Sequence, residues 1–263
     1  MIKFEKRGEL GIFTIENGKV NPMTPQMHRE FYLHLKALLN DNTLKVGILT
    51  GAGDRAFCAG DDIKSPRIEE TPEQIADRHF SSSPEDGPYS YPGWEREVHQ
   101  MRRLKPIIAA TKGWCLGQGF FYLMRLTDIR VAGESSKFAL PEIAYEMAGA
   151  SGFTGITRHL RRADAMKLLM TGDPIDAQEA LRIGLVNEVV PDTEVLDRAI
   201  FLGERIARHS ARAIRVEMEC FLMDERGDDH SSYQFADQLY RVQRLTAAEK
   251  AWEVDFQNKG VKG

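Results

Sequence analysis

The chain of 263 residues predicts an α/β fold that gives way to helices toward its C-terminus. Three observations lead there. Strand-like and helix-like segments alternate as far as about residue 132, and helical periodicity dominates from about residue 155. Two of the strand-like runs, Val46-Gly47-Ile48-Leu49-Thr50 and Ile107-Ile108-Ala109-Ala110-Thr111, each lead into a loop of small residues. Those loops are Phe57-Cys58-Ala59-Gly60-Asp61-Asp62-Ile63 and Gly113-Trp114-Cys115-Leu116-Gly117-Gln118-Gly119-Phe120-Phe121. Small residues in such places leave backbone N–H groups bare and let a ligand approach closely. A chain this long buries a substantial core, which fits one large domain over 1–200 and a helical C-terminal region over 201–263.

In chain order, residues 10–16 read as a strand, and Asn17-Gly18 supplies a turn. Asn21-Pro22 breaks the chain before a helix from about Pro25 to Leu39, with Thr24 as N-cap and Pro25 at the first helical position. Met27, Phe31, Leu35 and Leu38 follow its period. The strand 45–50 comes next, then the first small-residue loop. Residues 65–93 carry repeated Ser-Pro, Thr-Pro and Gly-Pro breaks and read as a lid or variable insertion. A helix over about 94–104 leads to the strand 106–111 and the second loop. Residues 120–126 form a short apolar helix, and 127–132 a further strand. Helices follow over roughly 155–170, 176–182, 192–208, 211–224 and 231–258, with a strand-like run from Leu185 to Val190. The apolar face of the last helix needs a surface to cover, either its own core or a neighbouring subunit.

The composition narrows the function classes. Apolar residues make up 42% and charged residues 28%, as in ordinary soluble proteins. A net charge of -4 gives no reason to expect nucleic acid or an anionic membrane as partner. Cys58, Cys115 and Cys220 include no Cys-x-x-Cys pair, so neither a disulfide framework nor a zinc site is indicated. Cys58 and Cys115 read as small buried hydrophobes. No run is long and apolar enough for a membrane span and the N-terminus is no signal peptide, so a cytoplasmic protein is expected. Gly51-Ala52-Gly53-Asp54-Arg55-Ala56 matches a dinucleotide fingerprint, but no helix opens there to face a pyrophosphate.

Two loops of bare N–H groups can converge on one carbonyl oxygen, which is the geometry of an oxyanion hole. A carboxylate just downstream, Glu142 in Pro141-Glu142, can then move a proton beside the polarised carbonyl. On these residues the chain resembles the crotonase (enoyl-CoA hydratase/isomerase) superfamily. The first loop resembles the family's Phe-x-Ala-Gly-x-Asp-(Ile/Leu). Lys105-Pro106 through Gly119 resembles Lys-Pro-(Val/Ile)-Ile-Ala-Ala leading to a glycine triplet. Phe138-Ala139-Leu140-Pro141-Glu142-Ile143 and Gly184-Leu185-Val186-Asn187-Glu188-Val189-Val190 resemble two further family segments. The resemblance implies a spiral of repeated ββα units whose C-terminal helices drive trimerisation, often into hexamers. It implies an acyl-CoA substrate, with coenzyme A carried by that substrate and no separate cofactor or metal. The oxyanion donors fall on the N–H groups of Asp61 and Gln118. Ala59, Asp62, Ile63 and Lys64 are the expected coenzyme A contacts, and Trp114, Phe121, Pro141, Tyr145 and Glu146 the expected pocket residues.

The sequence departs from the family's hydratases at one point. They use two glutamates, and the first of those positions is Phe121 here, while Glu142 retains the second. Family members with only the second glutamate are mainly enoyl-CoA isomerases, and one carboxylate suffices to shuttle a proton between two carbons. The Gly113-Trp114-Cys115 wording also resembles the hydroxycinnamoyl-CoA hydratase-lyases, for which Tyr89, Tyr91, Tyr145 and Tyr233 are available as phenol-binding groups. Glu146, four residues past Glu142, is a stand-in carboxylate if that segment coils, or a surface glutamate. A crotonase-fold scaffold without catalysis is the reading from another class.

Overall fold

A computed structural model describes residues 1–65, 71–74, 93–146 and 156–225. The chain divides into two compact units, Met1–Arg208 and His209–Gly263. The predicted helix over 231–258 lies outside the described residues, as does most of the 65–93 segment. In the second unit, α8 (Ala211–Asp224) forms where the periodicity places it, burying Ile214 and Met218.

The first unit is built on a six-stranded sheet in the order β1-β2-β3-β5-β7-β10. Its strands are β1 (Ile2–Arg7), β2 (Leu10–Ile15), β3 (Val46–Gly51), β5 (Ile107–Thr111), β7 (Ile129–Gly133) and β10 (Glu188–Val190). β1 pairs antiparallel with β2, and every later pair is parallel. β1 is an addition to the sequence reading, which starts its first strand near residue 10. β3 is buried along its whole length because both faces are covered. Leu49, Ile107 and Ala109 face the main core with Phe13, Phe31 and Leu35, while Val46, Ile48, Ile108 and Ala110 face the other way. That second face is covered by Val195, Ala199, Ile200 and Ala207 of α7 (Val195–Ala207).

A second sheet runs in the order β4-β6-β8-β9, from Ala56–Cys58, Trp114–Leu116, Lys137–Ala139 and Ile175–Asp176. β3, β5 and β7 each pass through a short turn into β4, β6 and β8. Each pair of strands is then followed by a helical segment: α2 (Trp94–Gln100), α3 (Gln118–Leu126) or a 3₁₀ helix (Pro141–Tyr145). Since β3, β5 and β7 are neighbours in one sheet, β4, β6 and β8 become parallel neighbours in the other. This is the repeated ββα plan that the resemblance implies. The segment after Gly51 runs into β4 and not into a helix, so the dinucleotide pattern has no helix N-terminus behind it.

Local signals behave as physical chemistry requires. In α1 (Pro25–Asn40), Thr24 Oγ1 accepts from Met27 N–H at 3.3 Å, and Pro25 costs no helical hydrogen bond at the first position. Asp176 caps α6 (Ala177–Arg182) through Glu179 N–H at 2.8 Å. The single helix expected over 155–170 is two, α4 (Ile156–His159) and α5 (Arg162–Thr171), because Arg161 is extended (φ −59°, ψ 144°). Residue 200 lies inside α7, and the first unit continues to Arg208.

One ion pair fixes the entry of β5. Arg103 grips Asp128 with two N–H donors at 2.6 and 2.9 Å, and Asp128 also accepts from Ile107 N–H at 2.7 Å. Arg103 is buried. Asp128→Ala leaves that guanidinium unpaired and should cost about 3–5 kcal/mol of stability, read by chemical denaturation. A cost below about 1 kcal/mol, the scale of an exposed pair, would contradict this.

Candidate active site

The two loops meet backbone to backbone. Met23 N–H donates to Gly60 C=O at 2.8 Å, and Asp62 N–H donates to Met23 C=O at 2.8 Å, a parallel bridge centred on Asp61. In such a bridge the central residue's own N–H points away from the partner strand, so the Asp61 N–H is directed away from Met23. In the second loop, Gly117 N–H donates to Ala139 C=O at 3.3 Å, and α3 opens at the next residue. Phe121 N–H closes the first helical bond on Gly117 C=O, at 2.9 Å. The Gln118 N–H therefore precedes the helical ladder, in the first turn where a backbone donor has no intrahelical acceptor.

Gly60 (φ 99°) and Gly117 (φ 49°) occupy backbone conformations that favour glycine. They also let neighbouring atoms come close. A Cβ on Gly60 would stand 3.3 Å from Leu116 O and 3.6 Å from Gln118 N. On Gly117 it would stand 2.9 Å from Glu142 Oε1 and 3.8 Å from Gly60 Cα. Asp61, Gln118 and Glu142 are thus drawn together from the ends of β4, β6 and β8.

Glu142 lies in the first turn of its 3₁₀ helix, where an acid often serves only the helix start. Here its Oε1 is turned onto Gly117, and its Oε2 is buried with no hydrogen-bond partner among the described residues. Burial pushes its carboxyl above the ordinary range, and the negative charge of Asp61 adds to the rise.

The structure adds a polar cluster that the sequence reading does not contain. Asp61 Oδ1 lies 3.1 Å from His28 Nε2, and His28 Nδ1 lies 2.6 Å from the Tyr122 hydroxyl. The Gln118 side chain, only 7% exposed, places its amide nitrogen 2.8 Å from His99 Nε2 and also lies beside the Tyr122 hydroxyl. That anchors the first residue of α3 and keeps its side chain out of the loop contact. Burial lowers His99 to about 4 and raises Tyr122 well above its usual range, so both are uncharged near neutral pH. His28 sits beside Met27 on the buried stripe of α1, and Tyr122 lies within an apolar run. A histidine interrupting an apolar stripe was the one signal available for this cluster.

The remaining expected site residues fall into three groups. Ala59 is pinned by its N–H to Val20 C=O at 3.0 Å. Asp62 is engaged with Lys64 N–H at 3.0 Å and Ser65 Oγ at 2.9 Å, so it shapes the loop while Asp61 turns to His28. Ile63, 85% exposed, and Lys64 project beside that loop. Phe121 is buried one turn beyond Gln118 in the main core, edge-on to His99. Pro141 begins the 3₁₀ helix and Tyr145 ends it, 72% exposed. Trp114 starts β6 at the end away from Gly117 and stacks under Lys137 Nζ at 5.1 Å. Glu146 is exposed in a left-handed conformation (φ 60°), and a 3₁₀ helix eclipses residues three apart rather than four, so it does not share the Glu142 face. Tyr89, Tyr91 and Tyr233 lie outside the described residues. Cys58 and Cys115 are fully buried opposite each other in β4 and β6, and burial pushes the Cys58 thiol up to about 12. Among the described residues no cluster of ligands suits a metal ion, and no helix is long and apolar enough to cross a membrane.

Parallel ββα units with a site at the ends of the second sheet's strands define a crotonase fold. The chain belongs to the enoyl-CoA hydratase/isomerase family, whose model matches residues 5–250. It is 30% identical over 233 residues to an (E)-benzylidenesuccinyl-CoA hydratase from Thauera aromatica, covering 88% of this chain and 85% of that one. It is 32% identical over 218 residues to a carnitinyl-CoA dehydratase from Proteus mirabilis, covering 82% and 77%. The crystal structure of an enoyl-CoA hydratase from Bacillus anthracis superposes with a TM-score of 0.84 at 29% identity, covering 98% of this chain and 96% of that one.

The raised carboxyl of Glu142 has a consequence for stability. The folded chain holds that proton more tightly than the unfolded chain, so stability falls as pH rises through the ordinary carboxyl range toward the raised value. Glu142→Gln removes the charged form and should raise the melting temperature at pH 7. The gain should vanish below about pH 4, where both states of the parent are protonated. Equal melting temperatures of parent and variant at pH 7 would show that the carboxylate is adequately solvated.

Proposed function

We propose that this enzyme binds an acyl-CoA thioester with its carbonyl oxygen between the N–H groups of Asp61 and Gln118, and that Glu142 transfers a proton at the adjacent carbon chain. The observation that carries this is the Glu142 carboxylate, desolvated and turned onto the glycine contact that joins the two donors. Removing a proton beside a thioester drives negative charge onto its oxygen. Two fixed donors stabilise that charge, and one such donor is worth roughly 2.7–4 kcal/mol. A carboxyl raised toward neutral pH both accepts and returns a proton efficiently. The hydratase and dehydratase relatives, both named for CoA thioesters, support the same substrate class.

Ile63 and Lys64 stand exposed beside Asp61 and suit the apolar face of an adenine and the phosphates of the CoA tail. Phe121 gives the acyl side an apolar wall. Proton shuttling between two carbons, as in double-bond isomerisation, needs only Glu142. A non-catalytic scaffold would gain nothing from a carboxylate with one oxygen buried and without a partner among the described residues, which costs stability without packing anything. The enzyme is further proposed to be cytoplasmic, to need no cofactor beyond the CoA of its substrate, and to assemble as a trimer or a hexamer of two trimers through its C-terminal helices. Sedimentation should then give three or six protomers, and a monomer would rule that assembly out.

Glu142→Gln should lower turnover of acyl-CoA substrates by roughly 10²–10⁴-fold. Thermal shifts with the same thioesters should persist, because the donors and the CoA contacts are untouched. Unchanged turnover would remove Glu142 from the chemistry. The absence of a shift with every acyl-CoA tried would remove the substrate class.

A further inference from the structure

We propose that the Asp61 side chain is the second acid–base group of this site, oriented by His28 and Tyr122, and that the pair it forms with Glu142 adds and removes water across the α,β-double bond of the thioester. This rests on the acyl-CoA function proposed above and extends it to a reaction. Water addition needs one group to take a proton from water and another to give a proton to the α-carbon. Phe121 can do neither. Asp61 contributes its backbone N–H to the carbonyl site, so its side chain begins at the same residue, beside the reacting atoms.

The geometry is that of a base held by an orienting partner. The Asp61 side chain is 34% exposed, whereas that of His28 is 5% exposed. Only Oδ1 is occupied, at 3.1 Å from His28 Nε2, and Oδ2 has no partner among the described residues. The carboxylate accepts, so His28 carries its proton on Nε2. Its Nδ1 then accepts from the Tyr122 O–H at 2.6 Å. Three polar side chains from α1, α3 and the first loop are thereby linked through a core otherwise lined by Phe31, Phe120 and Phe57. Such a chain rigidifies its end member, and that member is the exposed carboxylate. The environments also split the two acids into roles. Glu142 keeps Oε2 buried without a partner among the described residues, and Asp61 keeps one oxygen open to solvent; in the hydration direction Glu142 gives the proton to carbon and Asp61 takes one from water.

The step balances without an oxidant or further reactant. The water oxygen bonds to the β-carbon as its proton passes to Asp61 Oδ2. The π-electron pair of the double bond moves to the thioester oxygen, where the two N–H groups hold the enolate. Collapse of the enolate forms the bond between the α-carbon and the proton of Glu142. One water is added, and solvent exchange returns the proton from Asp61 to Glu142. Dehydration is the reverse. His28 and Tyr122 are positioning residues in this scheme.

The test compares two activities of one protein: hydration of trans-2-enoyl-CoA thioesters, and exchange of the α-proton of saturated acyl-CoA with D₂O. The second needs only the carbonyl site and Glu142. Asp61→Asn keeps the backbone donor and the side-chain shape. It should lower hydration by at least about 100-fold while exchange falls by less than about tenfold. Asp61→Ala should behave alike, with added formate restoring part of the hydration, and Tyr122→Phe should lower hydration about tenfold with exchange persisting. Hydration within threefold of the parent in Asp61→Asn, or Asp61→Ala unresponsive to formate, overturns the proposal. A parent that exchanges α-protons but hydrates no enoyl-CoA also overturns it and leaves the proton-transfer function standing. A parent that shows no exchange, no hydration and no thermal shift with any thioester overturns both.

Discussion

The site depends on one constraint, the contact of two bare backbone segments at Gly60 and Gly117. Any Cβ at Gly117 would enter the space of Glu142 Oε1, and one at Gly60 would crowd Leu116 O and Gln118 N. The ββα plan exists around that contact. The large sheet fixes β3, β5 and β7 side by side, and the turns that follow deliver β4, β6 and β8 in the same order. Asp61, Gln118 and Glu142 each come two or three residues after one of those short strands. Three successive repeats thus each supply one residue of the proposed site. The strands bury both faces, which keeps their ends from shifting relative to one another.

The site carries an unfavourable polar load that the rest of the unit does not. The two buried side-chain atoms without a partner among the described residues are His99 Nδ1 and Glu142 Oε2. Both belong to this cluster. Elsewhere among the described residues, buried polar side chains find partners: Asn21 holds the backbone of Ala52 and Ala56 at 2.8 Å, and Arg130 holds the carbonyls of Thr127 and Leu185. Unsatisfied groups confined to one place fit a region selected for chemistry over stability. His99 has a structural share in this, since its Nε2 contact with Gln118 keeps the start of α3 in place while its other nitrogen has no partner among the described residues.

Much of the fold was legible because its signals are local. Thr24-Pro25 announced α1, the apolar period placed Met27, Phe31, Leu35 and Leu38, and the Ile107–Thr111 run read as a strand. Where the signal was weak, geometry decided. β1 has few apolar residues and gains its pairing from β2. Trp114–Leu116 and Ala56–Cys58, read as loop, are strands three residues long whose identity comes from each other. The helix expected over 155–170 splits at Arg161, where apolar period continues but the backbone does not. In the site, Gly60, Gly117 and Glu142 were readable because close approach restricts the residue types allowed. His28 and Tyr122 were not, since both sit inside apolar stretches and their pairing spans 94 residues of sequence.

The sequence by itself determined the family, the small-residue loops, the retained Glu142 and the loss of a carboxylate at Phe121. Each is a matter of residue type at a fixed spacing, and local sterics and chemistry allow few alternatives. Only the tertiary structure decided where the side chains of Asp61 and Gln118 go, and that Asp61 is tied through His28 to Tyr122 while Asp62 caps its own loop. It also turned Glu146 away from Glu142. The physical reason is that a side chain's partner depends on which distant elements the sheets bring alongside it, and no spacing along the chain encodes that.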